Sequence, residues 1–211
     1  MRKVIIGLLL FLAPALLFAQ IEQEQYAMYA YYLLTRAELG GKTNFVIRES
    51  TDYGRRNYTG IPLGVKAMRR WFKQPHSSVP SPTAYDSLMH KIKNDTMWNG
   101  LMLKLDKKMS RRFVIANKFS PYFNATIISD TDYNKIFGGN GSDKKVWGKF
   151  QKKYPTANCL VDLSAVVGDG KRALFYFVRK WYAHGDTSVI FFEKENGKWT
   201  YLGTHQIWII N

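Results

Sequence analysis

From Asn158 onward, apolar and polar residues alternate with a period of two, and glycine-bearing breaks cut the alternation into four runs. Cys159, Val161, Leu163, Ala165 and Val167 alternate with Asp162 and Ser164. Arg172–Tyr182, Thr187–Lys194 and Trp199–Ile210 follow, separated by Gly168-Asp169-Gly170, His184-Gly185 and Asn196-Gly197. A period of two places successive side chains on opposite faces of a strand. Asn-Gly between two such runs is a strong hairpin signal, because both central residues of a tight hairpin turn need positive φ. The tract therefore predicts a four-stranded antiparallel meander, against which the upstream residues must pack.

Two-residue turns at His184-Gly185 and Asn196-Gly197 would set the register by counting outward. Phe177, Phe192 and Tyr201 then share one row; Val178, Phe191 and Leu202 share the next row on the opposite face. The first face also gathers Phe175, Trp181, Ile190 and Trp199 and is expected to carry the helices. The second gathers Tyr176, Lys180, Glu193, Thr200 and Thr204 and is expected to be more polar. A two-residue turn at Asp169-Gly170 would put Asp162 and Ser164 on the aromatic face, where an unpaired carboxylate is costly to bury. A three-residue loop with Gly170 left-handed puts Cys159, Val161 and Leu163 there instead, and is the arrangement expected.

Upstream the period is helical. Tyr26, Tyr29, Ala30, Leu33, Leu34 and Ala37 recur at three- and four-residue steps within Gln20–Leu39, and Gly40-Gly41 supplies a stop. Phe45–Glu49 reads as a short strand, Ser50–Gly64 as loop, and Val65–Lys73 as a short basic segment leading into the Pro- and Ser-rich connector Gln74–Thr83. Ala84–Lys93 and Met97–Met109 read as helices broken at Asn94-Asp95-Thr96. In the second, Trp98, Leu101, Met102, Leu105 and Met109 form an apolar stripe, and Lys104, Lys107, Lys108 and Arg111 lie off it. Asn124–Ser129 reads as a strand. Ser129-Asp130-Thr131-Asp132 then fits a helix cap with an acid at the third position. A helix bearing Tyr133, Ile136 and Phe137 is expected there, ended by Gly138-Gly139-Asn140-Gly141. A second, Lys144–Tyr154, turns Val146, Trp147, Phe150 and Tyr154 inward and its lysines outward.

The first nineteen residues carry a basic start (Arg2, Lys3), an apolar run from Val4, and small residues at Ala13, Ala15 and Ala19. This is the layout of a secretory leader, cut after Ala15 or Ala19. The apolar run is too short to span a membrane, so no transmembrane segment is expected after cleavage. Residues 20–211 then form a single domain, mainly helical over 20–157, exported to the periplasm or beyond. Roughly 190 residues suffice for a core without staples, and Cys159, the one cysteine, has no partner for an internal disulfide.

Charge is the other constraint. The formal net charge is +15, and losing Arg2 and Lys3 with the leader lowers it by two, to +13. Such a field favours an anionic surface, a glycan or a protein as partner, and export argues against nucleic acid. The lysine-rich faces Lys104–Arg112 and Lys144–Lys153 are the places for such contact.

Motifs for chemistry are absent. His76, His90, His184 and His205 show no ligand spacing, so no metal or other cofactor is expected. No nucleophile elbow or phosphate-cradling loop occurs. Asn57, Asn94, Asn124 and Asn140 head Asn-x-Ser/Thr triplets, acceptors for glycan only in a eukaryotic secretory route. The expected face map gathers Arg179, Trp181, Ser188 and His205 at one end of the aromatic face, with Cys159 beside Arg179. A cation, an indole, a hydroxyl and an imidazole over an apolar floor make a candidate site for a small anionic or aromatic ligand. A Cys159–His205 nucleophile pair would lack an orienting acid, because Asp162 points to the opposite face.

The segment Trp147–Tyr154-Pro155, the meander with Ala173-Leu174-Phe175-Tyr176 in its second strand, Gly197-Lys198-Trp199 and the closing Ile207-Trp208-Ile209 resemble a group of uncharacterised secreted proteins of Bacteroidetes-type bacteria. The resemblance spans roughly residues 110–211 and departs from the group at Trp181–Ser188. It implies a shared structure and no activity. The fold class expected is α+β, with N-terminal and central helices on a C-terminal four-stranded antiparallel meander. The cystatin and NTF2-like folds are helix-on-curved-sheet arrangements of this kind by analogy. The expected function is a non-catalytic binding or accessory role, the alternative a small hydrolase or small-ligand domain using the Arg179/Trp181/His205 end of the sheet.

Overall fold

The computed structural model describes residues 22–35, 45–51, 88–92, 94–109, 111–119, 123, 125–138, 142–157, 159–182 and 184–207, with the backbone of 208–210. The expected leader, the loop, basic segment and connector over 52–83, the glycine stops at 40–41 and 139–141, and the start of the helix expected from Ala84 lie outside them. These residues fall into two compact units. In the smaller, helix α1 (22–35) buries Tyr26, Tyr29, Ala30 and Leu33 as the spacing predicts, together with Met28 and Tyr32. Leu34, expected on that face, is exposed. Tyr26 meets the ring of Phe119 edge-on, with centroids 4.9 Å apart.

The larger unit is built on a seven-stranded sheet. Its strands are β1 (Phe45–Arg48), β4 (Ala125–Ile128), β5 (Leu160–Leu163), β6 (Val167–Gly168), β7 (Arg172–Trp181), β8 (His184–Glu195) and β9 (Lys198–Ile210). The order is β4-β1-β5-β7-β8-β9, with β6 also pairing β7. A two-residue pair, β2 (Ser50–Thr51) with β3 (Phe113–Val114), stands apart. From β5 to β9 every pairing is antiparallel, and the four-stranded meander is present. β1 and β4 extend it as parallel strands beyond β5.

The three hairpins differ from one another. Between β6 and β7, Gly170 has φ +89°. Asp169 Oδ1 accepts the N–H groups of Lys171 (2.9 Å) and Arg172 (2.7 Å), which closes the loop. Burial pushes the Asp169 carboxyl up, but these two N–H groups and the Arg172 guanidinium outweigh it and hold it below the usual carboxylate range. Gly168 pairs with Ala173 and not with Arg172, so the connection is one residue longer than the expected three-residue loop. The register slips back by one between β6 and β5, and Val161 lies opposite Arg179 and Leu163 opposite Phe177, as expected. At Asn196-Gly197 both residues have positive φ, the geometry of a tight hairpin turn.

The His184-Gly185 turn is a correction. Both residues belong to β8, and His184 pairs with Trp181. Sliding the pairing brings Arg179 opposite Asp186, and they form an ion pair in which Arg179 Nε donates to Asp186 Oδ2 at 2.8 Å. In the expected register Arg179 would face Ile190, leaving Asp186, now only 6% exposed, without its partner. The penalty for burying an unpaired carboxylate decides the register.

The helices also reverse the expected faces. Helix α2 (Thr96–Met109) lays Trp98, Leu101, Met102 and Leu105 onto Leu174, Tyr176, Val178, Val189 and Phe191, the face expected to be polar. Helices α3 (Asp130–Phe137) and α4 (Asp143–Lys153) pack Tyr133, Ile136, Trp147 and Phe150 onto Val46, Ile128 and Leu160. Because Val46 pairs with Leu160 and Asp162 with Val178, both groups of helices lie on one face of the sheet. The Phe175, Phe177, Ile190, Phe192 face is buried too. A strand reading Ala-Leu-Phe-Tyr-Phe-Val, apolar on both faces, belongs in a sheet covered on both sides.

Capping places the helices. Ser129 Oγ accepts the N–H of Asp132 at 3.1 Å and starts α3 as its sequence predicts. Asp95 Oδ1 accepts the N–H of Met97 at 2.8 Å at the head of α2. Asp130, at the start of α3, receives Arg112 Nη2 at 2.7 Å and the Ser50 hydroxyl. This ties the C-terminal ends of β1 and β4 to the helix layer.

Candidate functional site

The structure brings together part of the residue set expected at the meander's end. Arg179, Trp181, Asp186 and Ser188 share a face, since Phe177 pairs with Ser188 and Arg179 with Asp186. The Arg179 guanidinium lies 4.7 Å from the Trp181 ring centroid, and Trp181 leans on His184 at 6.2 Å. Cys159 is 2% exposed and near this pair. Burial pushes its thiol up to about 12, although Arg179 pulls the other way. It is therefore a protonated, inert side chain.

His205 is not with them. Residues Leu202 and Ile207 have no opposite partner in β8, and each marks a shift in register. The first shift pairs His205 with Val189, on the helix-bearing face, and moves Thr204 the other way. Tyr201 and Thr204, three apart in a strand, consequently share a face, and their hydroxyls lie 2.7 Å apart. Counting outward from a turn cannot detect a bulge, because an inserted residue leaves the pattern on either side intact. The shift also takes His205 off the face that carries Cys159, so the Cys159–His205 pair that the face map made conceivable does not form. The expected orientation of Asp162 stands: it shares Val178's face and is buried, with Lys180 Nζ donating to Oδ2 at 2.8 Å.

A different cluster is open to ligand. Lys104, Lys107, Lys108 and Arg111, spaced i, i+3, i+4 and i+7, run along one side of α2 and just past its end. With Val166, Val167 and Gly168 they line a cleft of about 410 Å³, with no acidic side chain among the described residues that line it. All four cations are exposed. Trp98, Leu101 and Leu105 anchor the adjacent stripe in the core and so fix the direction of the basic one. Trp98 meets Phe191 edge-on at 5.5 Å. Asp106 is on the same helix but about 200° around from Lys104, away from the cleft.

Several of the described acids in this unit are engaged elsewhere. Arg172 bridges Asp95 and Asp169, Lys91 pairs with Glu193, and Lys153 with Asp132. The last turn of α2 suits cations, because the helix dipole is negative there. Lys107 and Lys108 occupy that turn, beside the cleft. On the same side of the sheet, α4 exposes Lys144, Lys145, Lys149 and Lys152. The basic residues were legible in the sequence as faces; the valine wall completing the cleft was not, because β6 reaches it only through tertiary packing.

Among the described residues no group of three metal-binding side chains occurs, and no helix is long and apolar enough to cross a membrane. Comparison of the chain with protein-family models, curated proteins and solved structures finds no match.

Proposed function

We propose that this chain is an exported, non-catalytic binding or accessory protein that engages an anionic partner through the α2–β6 cleft. The carrying observation is the cleft lined by the exposed cations Lys104, Lys107, Lys108 and Arg111, with no acid among its described lining residues. The lysines of α4 on the same side of the sheet widen the positive field that would steer such a partner in. Periplasmic or extracellular placement follows from the leader pattern over residues 1–19. The alternative, a small hydrolase or small-ligand domain at the Arg179/Trp181 end, has less support. Its cation is neutralised by Asp186, its thiol is protonated and His205 faces away.

The test is retention on a sulfated polymer column. Wild-type protein should elute at a salt concentration that drops sharply in Lys104→Glu/Lys108→Glu. The matched pair Lys171→Glu/Lys198→Glu, on hairpin turns, should change elution much less. Equal loss in the two pairs would reduce the effect to net charge and remove the cleft from the proposal.

A further inference from the structure

The cleft is walled by two different chemistries, and this points to the kind of anion it takes. Four cations form one side along about 10 Å of helix. The other side is Val166 and Val167, and the lysine stems extend that apolar surface. Gly168 adds no side chain, and a Cβ there would lie 2.9 Å from the Arg172 carbonyl oxygen, so the position cannot carry one without a shift. The cleft stays open at that end. Asp169, next along the chain, directs its carboxylate to the turn and not to the cleft.

A lone phosphate or sulfate would be far smaller than a 410 Å³ cleft and would leave the half-buried Val166 facing water. A sulfated or uronic sugar would bring hydroxyls that the side chains of Val166 and Val167 cannot pair, and desolvating them against valine is unfavourable. We propose that the cleft binds an amphiphilic anion: a phosphate, sulfate or carboxylate head on Lys104, Lys108 and Arg111, with a short hydrocarbon body on Val166 and Val167. This rests on the anion-binding reading above and narrows it to a ligand class. Free acids and esters of this kind and headgroups still held in a lipid layer share that chemistry.

The experiment titrates the folded chain with inorganic, methyl, butyl and octyl phosphate below the micellar range, with octyltrimethylammonium as the charge control. Affinity should rise about threefold per methylene until the valines are covered, so octyl phosphate binds roughly tenfold or more tighter than inorganic phosphate. Lys104→Glu/Lys108→Glu should abolish binding of all phosphates. Val166→Thr, nearly the same shape, should flatten the chain-length dependence and leave inorganic phosphate unchanged. Vesicles containing a phosphate-headed lipid then separate the sources: capture of vesicles that octyl phosphate competes away identifies the lipid layer, and octyl phosphate binding without capture identifies the free compound. Equal affinity across chain lengths overturns this inference and leaves the anion-binding function standing. So does retention on the sulfated polymer without alkyl phosphate binding, which makes the partner a polyanion. Equally tight octyltrimethylammonium binding overturns it as mere greasiness. No anion binding of any kind removes both proposals.

Discussion

Arg179 and Asp186 face each other across β7 and β8, and Asp186 is 7% exposed in its side chain. Removing one partner leaves the other charge desolvated, so Asp186→Ala should cost about 2–4 kcal/mol. The double change Arg179→Met/Asp186→Leu should recover most of that, because neither residue then carries a charge. Urea midpoints of the three variants measure both effects, and a double variant no better than the single one would refute the account. Cys159 supplies a second prediction at this scale. Its folded value is about 12 against an ordinary 9.0, raised by burial. A raised acid contributes stability that is intact below the ordinary value and lost as pH climbs toward the folded one. Wild-type stability relative to Cys159→Ala should therefore fall between pH 9 and 12, by about 2 kcal/mol at pH 10.5. The thiol should stay unreactive toward thiol reagents until the chain unfolds.

At the scale of elements, β9 departs most from what its sequence shows. Gly203 follows the first bulge, and a Cβ there would come within 2.5 Å of Leu88 Cδ2. The helical segment 88–92 therefore lies directly on the strand backbone. Gly203→Ala should cost about 1–3 kcal/mol by overpacking, and combining it with Leu88→Ala should remove the clash though not the lost burial. Thermal unfolding of the two variants checks this; a neutral Gly203→Ala would deny the close approach. The same strand explains which parts were legible. The turns at Gly170 and Asn196-Gly197 and the cap at Ser129 could be read because each is a local backbone requirement met by local residues. The bulges at Leu202 and Ile207 could not, since every residue around them still alternates. The turn before β8 was misplaced for a related reason: glycine marked His184-Gly185, but the Arg179–Asp186 charge pair outweighed the local turn preference.

For the whole molecule, one side of the sheet holds both basic helix faces. This makes the field of α4 part of the approach to the cleft without making α4 part of its wall. Lys145→Glu/Lys149→Glu should thus lower the salt needed for elution from an anionic matrix, by less than Lys104→Glu/Lys108→Glu. It should leave the affinity for a small phosphate ester within about twofold at physiological salt, where charges beyond about 8 Å are largely screened. All four lysines are exposed, so unfolding midpoints should stay within about 0.5 kcal/mol of wild type. A small-ester affinity that falls equally with either pair would place α4 in the site itself.

What the amino-acid sequence determined alone is whatever depends on neighbours along the chain: the meander, the helix starts, the glycine turns and the charge. The helices sit on the Tyr176 face and not the Phe175 face, a choice open to the sequence because β7 is apolar on both sides. Parallel β1 and β4 join the sheet through pairings some 80 and more residues apart, which no local period encodes. His205 leaves the expected site and the α2 lysines acquire a valine wall for the same reason. Both depend on which segments meet, and that is settled by the summed cost of burying apolar surface and pairing buried charge over the whole fold.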